Sequence, residues 1–169
     1  MLTAVLLSTG GAGTFALWSG NAVAQGVTIS SGTAGLTING ASSAAIVDMD
    51  ASTLGPGTSV RSVLTLENTG STPLAIAVTA SAVTAQTGGL ADELTVRLTA
   101  VESVSACAPG LAGESGRIST FTTAPSGELA AEASELFCLE IALDLDAPPS
   151  SQGGTASFSL TFTGAQVAQ

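Results

Sequence analysis

The sequence predicts an all-β protein, a jelly-roll or Ig-like antiparallel β-sandwich behind an N-terminal signal segment. Three observations carry this: apolar residues recur with a period of two, β-branched residues dominate the short runs, and Gly- and Pro-rich turns separate those runs. In chain order the predicted strands are Gly26–Ser30, Leu36–Ile38, Ala44–Met49, Thr58–Glu67, Pro73–Val83, Leu94–Val101, Arg117–Phe121, Leu136–Leu145 and Thr155–Thr163. Alternation is clearest in three. Val60, Ser62, Leu64 and Leu66 face opposite Arg61, Val63, Thr65 and Glu67; Leu94, Val96 and Leu98 face opposite Thr95, Arg97 and Thr99. Phe158, Leu160 and Phe162 face opposite Ser157, Ser159, Thr161 and Thr163. One buried and one wet face belong to a sandwich sheet, not to a parallel α/β sheet.

Turn chemistry divides the runs at Gly55-Pro56-Gly57, Asn68-Thr69-Gly70-Ser71-Thr72-Pro73, Thr87-Gly88-Gly89, Ala108-Pro109-Gly110 and Ala147-Pro148-Pro149-Ser150. Glycine supplies positive φ and proline fixes φ, so strands end there. The one helical candidate is Gly127–Glu135, short and Ala-rich, read as a surface turn inside a long insertion from Ala106 to Leu136. With no internal repeat and no compositional break, residues 25–169 read as one domain.

Residues 1–24 read as a secretory signal. An uncharged apolar run from Met1 to Trp18 leads to Ala22-Val23-Ala24, which would leave Gln25 as the first mature residue. The run departs from the standard pattern in having no preceding Lys or Arg. A membrane span needs about 20 apolar residues, and this run is shorter and rich in Gly, so no span is expected after cleavage.

Composition excludes whole classes of function. The 169 residues carry thirteen carboxylates and three cations, Arg61, Arg97 and Arg117, for a net charge of −10, with no His and no Tyr. Three scattered arginines do not neutralise a phosphate backbone, so nucleic acid is not an expected partner, and anionic membranes are disfavoured for the same reason. Without His there is no Ser-His-Asp triad and no HExxH zinc helix. No catalytic residue, cofactor or metal site is therefore assigned.

Cys107 and Cys138 fit an oxidising compartment, where an even count suggests pairing; two buried free thiols are the alternative. Asp48-x-Asp50 and Asp144-x-Asp146 offer oxygen ligands of the kind calcium takes, but neither matches a spaced calcium loop, and both read as solvated strand ends. Glu128, Glu132 and Glu135 share a helical spacing and read as a solvated face.

Three local patterns together resemble the TasA/camelysin family of exported fibre proteins, whose precursors use a SipW-type signal peptidase. The first is Gly10-Gly11-Ala12-Gly13-Thr14-Phe15-Ala16-Leu17-Trp18, followed by Val27-Thr28-Ile29 and Gly35-Leu36-Thr37-Ile38. The second runs from Leu54-Gly55-Pro56-Gly57-Thr58-Ser59 through Leu64-Thr65-Leu66-Glu67-Asn68-Thr69-Gly70-Ser71-Thr72-Pro73-Leu74. The third is Gln152-Gly153-Gly154-Thr155 with Phe158, Phe162 and Gln166. The resemblance implies a jelly-roll-like sandwich, secretion, and a place in cell-surface or biofilm-matrix fibres. It also implies a cleavage site near Leu17/Trp18, which stands beside the site after Ala24 as an alternative. The protease activity described for some camelysin-type members is not carried over, because no catalytic motif of that kind is present.

The expected function is thus a secreted structural protein, a subunit or accessory of a non-covalent fibre and not an enzyme. Absence of Lys removes the amine needed for isopeptide links between subunits. The expected contact is β-strand addition, with the N-terminal stretch offering Val27, Ile29, Leu36 and Ile38 to an open sheet edge of the next subunit. Expected partners are further copies of the chain, with other matrix or cell-surface proteins besides. The alternative is a monomeric extracellular Ig-like adhesion or ligand-binding module. A secreted glycosidase using paired carboxylates ranks last, since no pair of carboxylates is assignable to the required separation.

Overall fold

A computed structural model describes residues 33–44 and 54–167, all within the compact unit Ser31–Gln169. The signal segment, the strand predicted at Gly26–Ser30 and all but the first residue of that predicted at Ala44–Met49 lie outside the described residues.

Among the described residues eight strands form two antiparallel sheets, so the expected all-β sandwich is the fold. They are β1 (Leu36–Ile38), β2 (Ser59–Asn68), β3 (Leu74–Gln86), β4 (Leu94–Val101), β5 (Glu114–Arg117), β6 (Ser126–Leu129), β7 (Ser134–Leu143) and β8 (Ala156–Gln166). One sheet has the order β1-β2-β7-β4-β5 and the other β6-β3-β8. At the centre of the larger sheet, β7 lies between β2 and β4, with Leu139 opposite Ser62 on one side and Leu98 on the other.

The period-two pattern sets which face is inside. Leu64, Leu66, Val96 and Leu139 are essentially buried, and their neighbours along each strand point to the outer face. Two apolar clusters result. The larger gathers Leu64, Val78, Val96, Leu139 and Ile141 with Ile118 and Phe121; the smaller holds Leu66, Leu74, Ile76 and Leu129. Phe137 and Phe162 pack against both. Each fully buried Leu, Ile, Val or Phe contributes about 1.5–3 kcal/mol relative to exposure.

Two expectations are corrected. Gly127–Glu135 is not helical: its first residues belong to β6, its last to β7, and a turn joins them. Gly127 and Glu132 both have left-handed φ, 68° and 59°. Nine residues cannot sustain a helix on propensity alone, and pairing of Leu129 with Leu74 takes that side chain into the core instead. The strand expected at Arg117–Phe121 lies earlier, at Glu114–Arg117. Ile118 and Phe121 leave the strand to plug the space between the sheets, where both are buried. The Ile118 N–H donates to the Leu94 carbonyl of one sheet, and its own carbonyl accepts from the Ser81 hydroxyl of the other. The insertion from Ala106 to Leu136 therefore contributes β5, β6 and the start of β7 to the sandwich.

The turn after β2 is built around Asn68, which is fully buried. Its amide nitrogen contacts the carbonyls of Thr72, Leu129 and Ala130 at 2.8, 3.1 and 3.0 Å, and its oxygen accepts from the Gly70 N–H at 2.9 Å. One side chain thus ties the end of β2 to the turn after β6. Gly70 is required for the approach of the N-terminal segment, since a Cβ there would stand 2.3 Å from the Thr33 carbonyl oxygen.

Candidate assembly edge and groove

Four described strands stand at sheet edges. β1 has three residues, β5 and β6 four each, and short edges offer a neighbouring chain few hydrogen bonds. β8 has eleven, about 36 Å at the usual strand rise. Among the described strands it pairs only with β3, from Gln166 opposite Leu74 to Ala156 opposite Gln86. The register shifts at Val78/Ala80 and Val83/Ala85, where the unmatched residues, Thr79 and Thr84, belong to β3. β8 itself runs without a bulge. It also lacks the other devices that protect edges, since it contains no Pro, no Lys and no other charge.

Among the described residues, the sandwich is open beside β8. Three strands face five, and a groove of about 1080 Å³ separates β8 from β2. Leu64 and Ile141 form part of its floor, and Phe158, Leu160 and Phe162 project from β8 along one wall, only partly buried although they pack on the core. No described residue lining the groove is charged. This fits the layout of charge along the chain: every Asp, Glu and Arg lies between Asp48 and Asp146. The residues before Asp48 and after Asp146 are all neutral. Reading the chain for alternation found the β8 face but missed the groove's other residues, such as Leu54, Leu90 and Gln152. The uncharged run from Ala147 onward is a signal that could have marked Gln152 and its neighbours, but not Leu54 or Leu90, which lie within the charged stretch.

Leu36 and Ile38 stand in β1, opposite Asn68 and Leu66 of β2 in the same chain, and pack against the smaller cluster. Ile38 also lines the groove. Val27 and Ile29 lie outside the described residues. The segment leading into β1 is held down by backbone bonds, from Ser71 N–H to the Thr33 carbonyl and from Thr69 N–H to the Gly35 carbonyl, each 2.9 Å.

Cys107 and Cys138 are joined in a disulfide with Cα atoms 5.2 Å apart. Cys138 is on the outer face of β7, and the bond fastens the loop between β4 and β5 over that face. Glu140, two residues on and also buried, is a second anchor. Its carboxylate accepts from the Gly110 N–H at 3.1–3.2 Å, from the Ser59 hydroxyl at 2.6 Å and from Arg97 at 3.2 Å. Arg61 is in register with Glu140 on β2, as Arg97 is on β4, and Arg117 stands opposite Thr95. The three cations therefore serve one sheet face.

The acidic candidates separate. Asp144 is held by Arg117 at 2.6 Å and by the Thr95 hydroxyl at 3.2 Å, while Asp146 is exposed. Asp48 and Asp50 lie outside the described residues. Glu128, Glu132 and Glu135 fall on β6, a turn and β7, so they share no helical face. Among the described residues no group of three or more His, Cys, Asp or Glu is placed to hold a metal ion, and no helix is long and apolar enough to cross a membrane. The chain matches no known protein family and no characterised protein, so its functional reading rests on its own residues.

Proposed function

We propose that the protein is exported and acts as a structural subunit or accessory of a cell-surface or matrix fibre, joined to its neighbours by strand addition, with no enzymatic role. The observation that carries this reading is the neutral, unbulged β8 edge beside a neutral apolar groove. An added strand gains main-chain hydrogen bonds from the edge and specificity from alternate side chains in the groove. The donor is the stretch before Thr33, with Val27 and Ile29 as the inserted side chains, because Leu36 and Ile38 are already engaged on β2. Neutrality matters because two chains of net charge −10 repel. An uncharged donor meeting an uncharged groove joins them where that repulsion is least. The disulfide agrees with an oxidising, extracellular setting.

The test is negative-stain microscopy and mass measurement of the secreted chain beside a form lacking residues 18–32, which keeps Thr33 and its bond from Ser71. Fibres from the full chain and none from the deletion are expected. A deleted chain that still forms fibres refutes strand donation by this segment. The groove's volume also suits a small ligand; a full-length chain that stays monomeric at high concentration favours that second reading, a ligand-binding or adhesion module.

A further inference from the structure

We infer that Asn39 is a site of spontaneous covalent modification, where conversion to aspartate and isoaspartate loosens the joint between β1 and β2. This is independent of fibre formation and of the β8 edge. Asn39 and Gly40 are the two central residues of a loop closed by Ile38 and Ala41, whose N–H groups and carbonyls bond each other at 2.8 and 3.0 Å. Both central residues have positive φ, 50° and 79°, as the I′ turn favoured by Asn-Gly requires. Both are exposed. Asn39 also engages both main-chain groups of Thr65 on β2. Its N–H donates to the Thr65 carbonyl at 2.8 Å, and its Oδ1 accepts from the Thr65 N–H at 2.9 Å.

The second of these bonds bears on the chemistry of the amide. The Gly40 nitrogen is the next in the chain after Asn39, and attack on Cγ within one chain carries a large effective molarity. The Gly40 nitrogen bonds to Cγ and gives up its hydrogen, the Cγ–Nδ2 bond breaks, and Nδ2 leaves as ammonia with that hydrogen. Negative charge develops on Oδ1 as Cγ becomes tetrahedral, and the Thr65 N–H already donates to that oxygen, as a donor in an oxyanion hole does. Gly40 has no Cβ to shield its nitrogen, and the space a Cβ would take is empty to 4 Å. Water then opens the cyclic imide at either carbonyl, leaving aspartate or isoaspartate. Isoaspartate routes the main chain through Cβ and Cγ, and the added methylene does not fit a turn selected by its two-residue length. Asn68 is the internal contrast: it is fully buried, precedes a β-branched Thr69, and has its amide nitrogen held by three carbonyls.

The full-length protein is to be aged at mildly alkaline pH beside a synthetic peptide spanning Leu36–Ser42, and both mapped by mass spectrometry with isoaspartate detection. The folded protein is expected to convert at Asn39 at least as fast as the peptide, which lacks the Thr65 donor, while Asn68 stays intact. A folded chain that converts more slowly than the peptide overturns the proposal, because the turn then protects the amide. In the separated isoaspartate form the Thr65 amide should exchange hydrogen about tenfold faster or more, with β4 unchanged. The variant Asn39→Asp keeps the main-chain length and should exchange at Thr65 as the parent does. Unchanged Thr65 exchange in the isoaspartate form, or equal loosening in Asn39→Asp, overturns the loosening of this joint by the lengthened main chain.

Discussion

Replacing both cysteines with alanine is the perturbation whose cost the structure sets most directly. The Cys107–Cys138 bond spans 31 residues of sequence. Loop-closure entropy for that length is about −12 cal/mol/K, or about 3.7 kcal/mol at 25 °C. The native side adds little, since Ala at 138 is accepted in an apolar position and leaves no polar group unpaired, as Ser would. Unfolding entropy near 2.1 cal/mol/K per residue over about 140 residues converts this loss to a fall in Tm of about 13 °C. Urea unfolding followed by circular dichroism is the assay. The midpoint should fall and the slope m should rise, because the uncrosslinked unfolded chain exposes more surface. The entropy acts on the unfolded chain, so the loss should persist when the second loop anchor is also removed by Glu140→Gln. A loss below about 1 kcal/mol with unchanged m would refute the reasoning. It would mean that the Gly110 contact with Glu140, and not the crosslink, governs this segment.

Two other substitutions probe the buried polar groups. Asn68→Ala removes the amide shared by three carbonyls and the acceptor of the Gly70 N–H; the bonds to the Leu129 carbonyl and from the Gly70 N–H are the buried ones, and at about 1–3 kcal/mol for each of these two groups left unsatisfied, a loss of about 2–6 kcal/mol is expected in the same urea assay. Arg97→Met leaves the Glu140 carboxylate, 7% exposed, without its cation. The expected cost is about 2–4 kcal/mol, and the double variant Arg97→Met/Glu140→Gln should be more stable than Arg97→Met alone, because breaking a buried pair costs more than removing it. A double variant no better than the single one would show that the pair does not set this cost.

Much of the sandwich was legible in advance where local pattern and burial agree. Leu94–Val101 and Leu36–Ile38 were predicted with the bounds observed, and β2, β3, β7 and β8 within three residues at either end. Period two is a local property, and one face of each strand follows from it. The failures fell where a distant contact decided the outcome. Ile118 and Phe121, three positions apart, would face opposite sides of a continued strand, yet both are buried in the gap between the sheets. Leu129 sits in an Ala-rich stretch that favours a helix, yet its pairing with Leu74 outweighs the propensity of nine residues.

The candidate site divides in the same way. The alternation of Phe158, Leu160 and Phe162 announced a face in the sequence, but not that the strand would be an edge. An edge is a property of sheet order, set by which strands pair.

By itself the sequence determined the strand-rich character, the faces of the clearest strands, the absence of imidazole chemistry and the confinement of charge to the middle of the chain, because these depend on residue type and spacing alone. Only the tertiary structure decided the five-against-three division of the described strands, the groove the described residues leave beside β8, the gathering of Arg61, Arg97 and Arg117 on one face, and the fastening of the β4–β5 loop to Cys138 and Glu140. The physical reason is range. Backbone preference and side-chain alternation act between near neighbours, whereas pairing order and burial are settled among residues tens of positions apart.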